Sequence, residues 1–234
     1  MSENDVVMGV DGCPAGWLCF RLDACSRQTE VKVFSRFTDV IGENRKIKAI
    51  AVDIPIGLPD SGPRVCDLEA RRLLQKPRSS SVFPPPVRSA LIANNYRQAC
   101  ARNRRACGKG LTIQTYTILK KIREVDDVIT RENQSWIHEV HPELCFWALN
   151  TTKAMRYSKR KAKGREERQK LLLACYPTIK NHIMELDHAE ARVDDLLDAA
   201  IAAWTAERIA KGKAGRIPEN PVVDRNGLRM EMWY

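Results

Sequence analysis

Val6-Val-Met-Gly-Val-Asp11 and Ile47-Lys-Ala-Ile-Ala-Val-Asp-Ile54 are the two runs whose reading decides the fold. Each is short, nearly all apolar, and closes on an aspartate followed by a turn or stop signal: Gly12 after Asp11, Pro55 soon after Asp53. The second is the kind of run expected for a strand buried on both faces. Between them, Trp17-Leu-Cys-Phe-Arg-Leu22 follows a Gly/Pro turn, and Thr29 to Ser35 alternates Val31 and Val33 against Glu30 and Lys32. Three strands joined by short turns predict an antiparallel meander. A helix from Phe37 to Asn44 then carries the chain across, so the fourth strand is expected to lie parallel to the first.

The second half reads as mainly helical. Arg64 to Gln75 and Gln114 to Ile129 have helical periodicity, whereas the proline-rich Lys76 to Pro86 stretch predicts a rigid extended loop. Trp136 to Glu143 predicts one more strand running into a loop. Val193, Leu196, Leu197, Ala200, Ile201 and Trp204 mark a late amphipathic helix. This order predicts an α/β fold of the ribonuclease H-like type: a mixed sheet of three antiparallel strands and then parallel strands, flanked by helices. The 234 residues are expected to form one domain, with a helical insertion at about 63–130 and a basic loop at about 153–170.

Composition narrows the classes of function. No apolar run approaches the roughly 20 residues of a membrane span. The opening Met1-Ser-Glu-Asn-Asp5 carries neither the basic nor the apolar part of a signal peptide, so a cytoplasmic protein is expected. Eight cysteines include no C-x-x-C pair, which argues for reduced and mostly buried thiols rather than a zinc ribbon or redox pair. The formal net charge of +10 predicts attraction to nucleic acid, DNA or RNA, or another polyanion. The surplus gathers in Arg97 to Lys109 and in Lys153 to Lys170.

The acids carry the chemistry. If the first and fourth strands are parallel neighbours, Asp11 and Asp53 emerge at the same carboxyl edge, where open α/β sheets place ligands. Like charges that close raise each other's pKa unless a cation lies between them, and oxygen donors alone favour Mg²⁺ or Mn²⁺ over zinc. On the late helix, Asp198 stands three and four residues from Asp195 and Asp194, and the helical wheel puts Asp194 and Asp198 beside the apolar stripe with Asp195 further out. Glu139, His141 and Glu143 would share a face if their strand continued.

Several motifs in order complete the picture. Val10-Asp-Gly-Cys-Pro-Ala-Gly-Trp17, Asp53-Ile-Pro-Ile-Gly-Leu-Pro59, Cys66-Asp-x-x-Ala-Arg71, Ser80-Ser-Val-Phe83, Gln114 with Lys121-Ile-x-Glu-Val-Asp126, Glu139-Val-His-Pro-Glu143, Asp198-Ala and Met230-Glu-Met-Trp-Tyr234 together resemble the family called domain of unknown function 429. That family is described as predicted nucleases with a ribonuclease H-like fold. The resemblance implies that Asp11 is the first-strand acid, Asp53 the fourth-strand acid, and Asp195 with Asp198 the late-helix pair of the resolvase branch, where the fourth-strand acid is often glutamate.

The expectation is therefore a metal-dependent nuclease using Mg²⁺ or Mn²⁺. Asp11 and Asp53 would share an ion, Asp198 would serve a second ion about 4 Å away, and Glu139 or Asp195 would position ligand or water. Arg71, Arg78, Arg88 and Lys120 are the candidate phosphate contacts, while Trp17, Phe83, Trp147 and Trp204 are assigned to core packing before base stacking. Two alternatives stand beside it: a nucleotide-handling enzyme of the sugar-kinase and actin type, whose phosphate loop would be Asp11 to Gly16, and an inactive nucleic-acid-binding module.

Overall fold

The computed structural model describes residues 6–42 and 47–234. The first part of the chain runs through β1 (Val6–Cys13), β2 (Gly16–Asp23), β3 (Thr29–Phe34), α1 (Phe37–Gly42) and β4 (Ile47–Val52). Helices α2 (Val65–Arg78), α3 (Tyr96–Cys107), α4 (Ile113–Thr117) and α5 (Leu119–Asp126) follow. Then come β5 (Ile137–Glu139), α6 (Pro142–Leu149), α7 (Ala162–Cys175), α8 (Ile179–Glu185) and α9 (Val193–Ala210). The end of the predicted first helix, beyond Gly42, lies outside the described residues.

These elements divide into two compact units. One comprises the chain up to Asp53, Trp136–Gly215 and Trp233–Tyr234; the other comprises Ile54–Ser135 and Arg216–Met232. The segment expected as a helical insertion thus lies inside the second unit, together with a carboxy-terminal piece that sequence reading left unassigned.

The first unit is built on a five-stranded sheet in the order β3-β2-β1-β4-β5. β1 pairs antiparallel with β2 and parallel with β4, and β2 pairs antiparallel with β3. This is the expected ribonuclease H-like mixed sheet, three antiparallel strands followed by parallel ones. The reason is local: a four-residue turn ends at Gly16, whose φ of 148° lies in a region that L side chains rarely adopt, and whose missing Cβ would meet the Phe34 carbonyl oxygen at 2.0 Å. β1 is buried along nearly its whole length, as a central strand must be. β3 exposes Glu30 and Lys32, as an edge strand can.

Three expectations change in detail. The stretch from Lys76, expected as an extended loop, leaves helical geometry only at Gln75 and Lys76 before helical turns resume through Arg78 and Ser79–Ser81. The strand around Trp136 to Glu143 is only three residues long and gives way to α6, because Pro142 opens the helix at a position where its missing N–H costs nothing. The basic stretch at 153–170 is irregular only to Lys161, and α7 takes over from Ala162.

Helix α9 lies against β1, β2 and β4, and α6 and α7 pack on it too. Its residues Leu196 to Ala203 are all buried, a wider face than an amphipathic stripe, made possible by Ala199, Ala200, Ala202 and Ala203. The closest approach is at Gly9. A Cβ there would lie 2.0 Å from the Ala199 carbonyl oxygen and 2.1 Å from the Ala203 nitrogen. Among the described residues no helix is long and apolar enough to cross a membrane.

The second unit is pinned by two arginines, Arg64 buried and Arg88 half-buried. Arg64 pairs with Asp67 at 2.7 Å and reaches the Ile56 and Gly57 carbonyls, both at 3.3 Å. Arg88 makes a two-pronged bond to Asp126 at 2.7 and 2.9 Å and also binds Asp224, whose other oxygen accepts the Asn226 and Leu228 N–H groups.

The fit at Gly9 gives the first prediction. Gly9→Ala forces α9 away from β1, because backbone atoms cannot yield as a flexible side chain can. The protein should lose about 2–3 kcal/mol of stability, read as a lowered midpoint in urea unfolding; an unchanged midpoint would show that the approach is looser than described.

Candidate metal centre

The site belongs wholly to the first unit, and its assembly follows from strand register. Val10 is aligned with Val52, and the Asp53 N–H donates to the Val10 carbonyl at 2.9 Å. The next positions, Asp11 and Asp53, therefore stand side by side at the carboxyl edge. Gly9 and Asp11 share one face of β1, since side chains repeat every two residues in a strand. Because Ala199 seats on Gly9, its neighbour Asp198 arrives beside Asp11. One carboxylate oxygen from each of Asp11, Asp53 and Asp198 lies within 4.8 Å of the others.

Hydrogen bonding leaves this cluster part-satisfied. Asp11 Oδ1 accepts the Gly12 N–H at 2.7 Å, and Asp198 Oδ2 accepts from the Lys159 ammonium. Asp198 is 1% exposed, and its Oδ1 has no hydrogen-bond partner. A buried carboxylate oxygen left without a partner is costly, even where a cation holds the other oxygen. Three oxygens of this type suit a hard divalent ion, so the residues fit the ion that the family resemblance implies.

Electrostatics agree with the geometry. Burial, and then the charges of Asp53 and Asp198, hold the Asp11 carboxyl well above its usual range, against the opposing pull of Lys159. Burial also raises Asp53, against His141 and Lys159. Asp198 is pushed up to about 7, again by burial first, despite the Lys159 ammonium that works to lower it. For Lys159, burial favours the neutral amine, but Asp198, Asp11 and Asp53 outweigh it and keep the amine charged.

The other candidates separate clearly. Asp195 is half-buried, accepts the Arg192 N–H at 2.9 Å, and adds its charge to those acting on Asp11. The wheel had put Asp194 rather than Asp195 beside the apolar stripe; the charge of Asp194 acts on Asp195. Glu139 is buried in register with Val52, so it leaves the sheet on the face opposite Asp53; Val140 lies beside Asp53 instead. His141 and Glu143 are carried round by α6 so that their charges act on Asp53, and Glu143 is bound by the fully buried Arg168.

Arg71, Arg78, Arg88 and Lys120 fall in the second unit. Arg88 is committed to Asp126 and Asp224, and Arg71 donates to the Ser79 carbonyl at 3.2 Å. Arg78 is half-buried and Lys120 exposed.

Lys159 is the member that sequence reading missed as part of the site. Its signal was present only as one cation in a basic run, and nothing in the run distinguishes it from Arg160 or Lys161. The turn expected of a phosphate loop offers few donors: Pro14 has none, the Gly12 N–H is bonded to Asp11, and the Ala15 N–H is bonded to the Glu190 carbonyl at 3.1 Å. Cys145 is no nucleophile, since burial pushes its thiol up to about 12. Trp17 is fully buried against Phe37, and Phe83 is exposed.

Fold and site together define an α/β protein of the ribonuclease H-like type with a buried carboxylate cluster able to hold a metal ion. The model of a family described as a protein of unknown function (DUF429) matches residues 9–223, nearly the whole chain, and the chain belongs to that family. No curated protein and no solved structure matches it.

The pKa directions give a prediction for protein freed of divalent ions. A carboxyl raised on folding contributes stability that is full below its unfolded pKa near 4 and is lost as pH rises through the folded value. For Asp198 that loss runs up to about 7 and is complete above it. Asp11→Asn removes one of the repelling charges, so it should stabilise the protein by on the order of 1–3 kcal/mol at pH 8 and by less at pH 5. Thermal unfolding in chelator at the two pH values measures it, and a variant less stable than wild type at pH 8 would contradict the assigned repulsion.

Proposed function

We propose that the protein is a metal-dependent nuclease that hydrolyses phosphodiester bonds of DNA or RNA with Mg²⁺ or Mn²⁺. The observation that carries this reading is the convergence of Asp11, Asp53 and Asp198 from three separate elements with their oxygens within 4.8 Å. Acids serving only helix capping or surface solvation have no reason to be gathered, buried and left part-satisfied.

Asp11, Asp53 and Asp198 would hold the divalent ion, which when bound supplies Lewis acidity for attack of water on phosphorus and charge to offset the leaving oxygen. Asp195, whose charge acts on Asp11, would accept a proton or orient water. The exposed Arg156, Arg160, Lys161 and Lys163, adjoining Lys159 in the chain, would draw the polyanionic strand toward the acids. The exposed Arg97, Arg102, Arg104, Arg105 and Lys109 of α3 and its C-terminal turn give the second unit a similar basic face. In this reading the positive surface answers the repulsion that a bare acidic cluster would exert on phosphate.

Purified protein assayed on single-stranded, duplex and branched DNA and on RNA should cleave at least one of them with Mg²⁺ or Mn²⁺ and none in chelator. Asp11→Asn and Asp53→Asn should each lower the rate by at least about 100-fold, the scale of removing one preorganised electrostatic contact, while far-UV circular dichroism stays unchanged. Binding should weaken with salt, with a slope of about 0.9 per phosphate contact on duplex DNA. Salt-sensitive binding with no turnover on any substrate would favour a binding module instead, and cleavage that survives Asp11→Asn at full rate would place the chemistry elsewhere.

A further inference from the structure

Lys159 sits at the carboxylate cluster because of how its chain segment is held. The Glu167 carboxylate accepts the Arg156 and Tyr157 N–H groups at 2.9 and 3.0 Å. One turn-mate of that residue, the fully buried Arg168, donates to the Tyr157 carbonyl at 3.0 Å and to the Gly164 carbonyl at 2.8 Å. Gly164 in turn lets α7 lie against the preceding segment, since a Cβ there would meet the Ser158 carbonyl oxygen at 2.0 Å. Residues 156–158 are thus fixed from behind by α7, and Lys159 leaves a held backbone toward Asp198.

The ammonium meets Asp198 Oδ2, and Oδ1 of the same carboxylate is left with no hydrogen bond. One oxygen of the buried late-helix acid is therefore answered by a cation of the protein itself, and the other is not. Charge tells the same way. Three carboxylates and one ammonium carry a net charge of −3 + 1 = −2, the charge that a single divalent ion cancels. Of the neighbouring acids, Glu143 is paired with Arg168, whereas Asp195, half-buried and bonded to the Arg192 N–H, adds its charge at Asp11 from outside the three. A second divalent ion at Asp198 would have to stand against the ammonium on the same carboxylate.

We infer that Lys159 is the protein's built-in second cation, so that the cluster of Asp11, Asp53 and Asp198 takes one divalent ion per chain rather than two. This rests on the metal reading of the site and specifies its stoichiometry. Lys159 acts by charge and position, holding Asp198 and occupying the place where a two-ion centre would keep its second metal.

The test is a Mn²⁺ titration of the whole protein, with free Mn²⁺ followed by its electron paramagnetic resonance signal. Wild type should bind one Mn²⁺ per chain, Lys159→Met should bind two, and Lys159→Arg, which keeps the charge, should stay at one. Circular dichroism checks that each variant is folded, and if Lys159→Met is not, the wild-type count still decides. Two ions on wild type would overturn the inference while leaving the metal reading standing. So would a count of one on a folded Lys159→Met with unchanged affinity, or binding by Lys159→Met alone, which would make the lysine a block rather than a partner. Absence of Mn²⁺ binding by wild type and by both variants would overturn the metal reading itself.

Discussion

Backbone contact between α9 and β1 at Gly9 is the constraint on which the site depends. With no side chain at that position, the Ala199 carbonyl and the Ala203 N–H group come as near the strand as a Cβ would. Asp11 is two residues further along the same face of β1, and Asp198 is the residue before Ala199, so the same contact that seals the core brings two acids from distant parts of the chain together. Parallel pairing of β1 with β4 adds the third. The arrangement is a consequence of packing, yet its electrostatic outcome is unfavourable: three carboxylates share a buried volume, and burial is the leading cause of every raised pKa among them. Buried acids that repel one another call for positive charge beside them.

Some of that positive charge comes from the chain. The basic run from Lys153 to Lys170 divides by environment. Lys153, Arg156, Arg160, Lys161, Lys163 and Lys170 are exposed, as a solvated run should be, whereas Arg168 is wholly buried against Glu143 and lies 5.5 Å from the centroid of the Phe146 ring. Lys159 is intermediate, its stem packed and its ammonium on Asp198. Burying an unpaired guanidinium would be prohibitive, so Arg168 and Glu143 have to be read as a unit. The pair leaves Glu143 Oε2 without a partner, close enough for the Glu143 charge to act on Asp53 and Asp198. One helix, α7, therefore supports the site twice, through the loop that presents Lys159 and through the arginine that offsets Glu143.

What was legible in the sequence follows from the range of the interactions involved. The strands β1 to β4 and the parallel pairing of β1 and β4 could be read because alternation, apolar runs and turn residues are local signals. Asp11 and Asp53 followed from them, since a strand's last residue is known once its end is known. Asp198 was legible as the acid that pairs with either helix neighbour. Glu139 misleads for a different reason: register with Val52 puts it on the face opposite Asp53, and with α6 beginning at Pro142 the period of two that would group it with His141 and Glu143 breaks. Lys159 was beyond reach, because its contact spans 39 residues and depends on Gly164 and Arg168, neither of which marks a site when seen in one dimension. Arg88 likewise reads as a phosphate contact until the fold brings Asp126 and Asp224 to it. The carboxy-terminal part of the second unit could not be joined to 54–135 by any periodicity.

The length of Asp53 bears on how the centre works. Where the resolvase branch often has glutamate, this chain has the shorter acid, and a shorter reach would matter if the ion sat far beyond the sheet edge. Neighbouring strands run about 4.8 Å apart, and the gathered oxygens of Asp11, Asp53 and Asp198 lie within 4.8 Å of one another. The shorter side chain of Asp53 therefore still reaches the carboxylates of Asp11 and Asp198. Held this close, the cluster is compact rather than extended. Three oxygens gathered in this way could hold a metal ion, and Lys159 meets one of the three acids, Asp198.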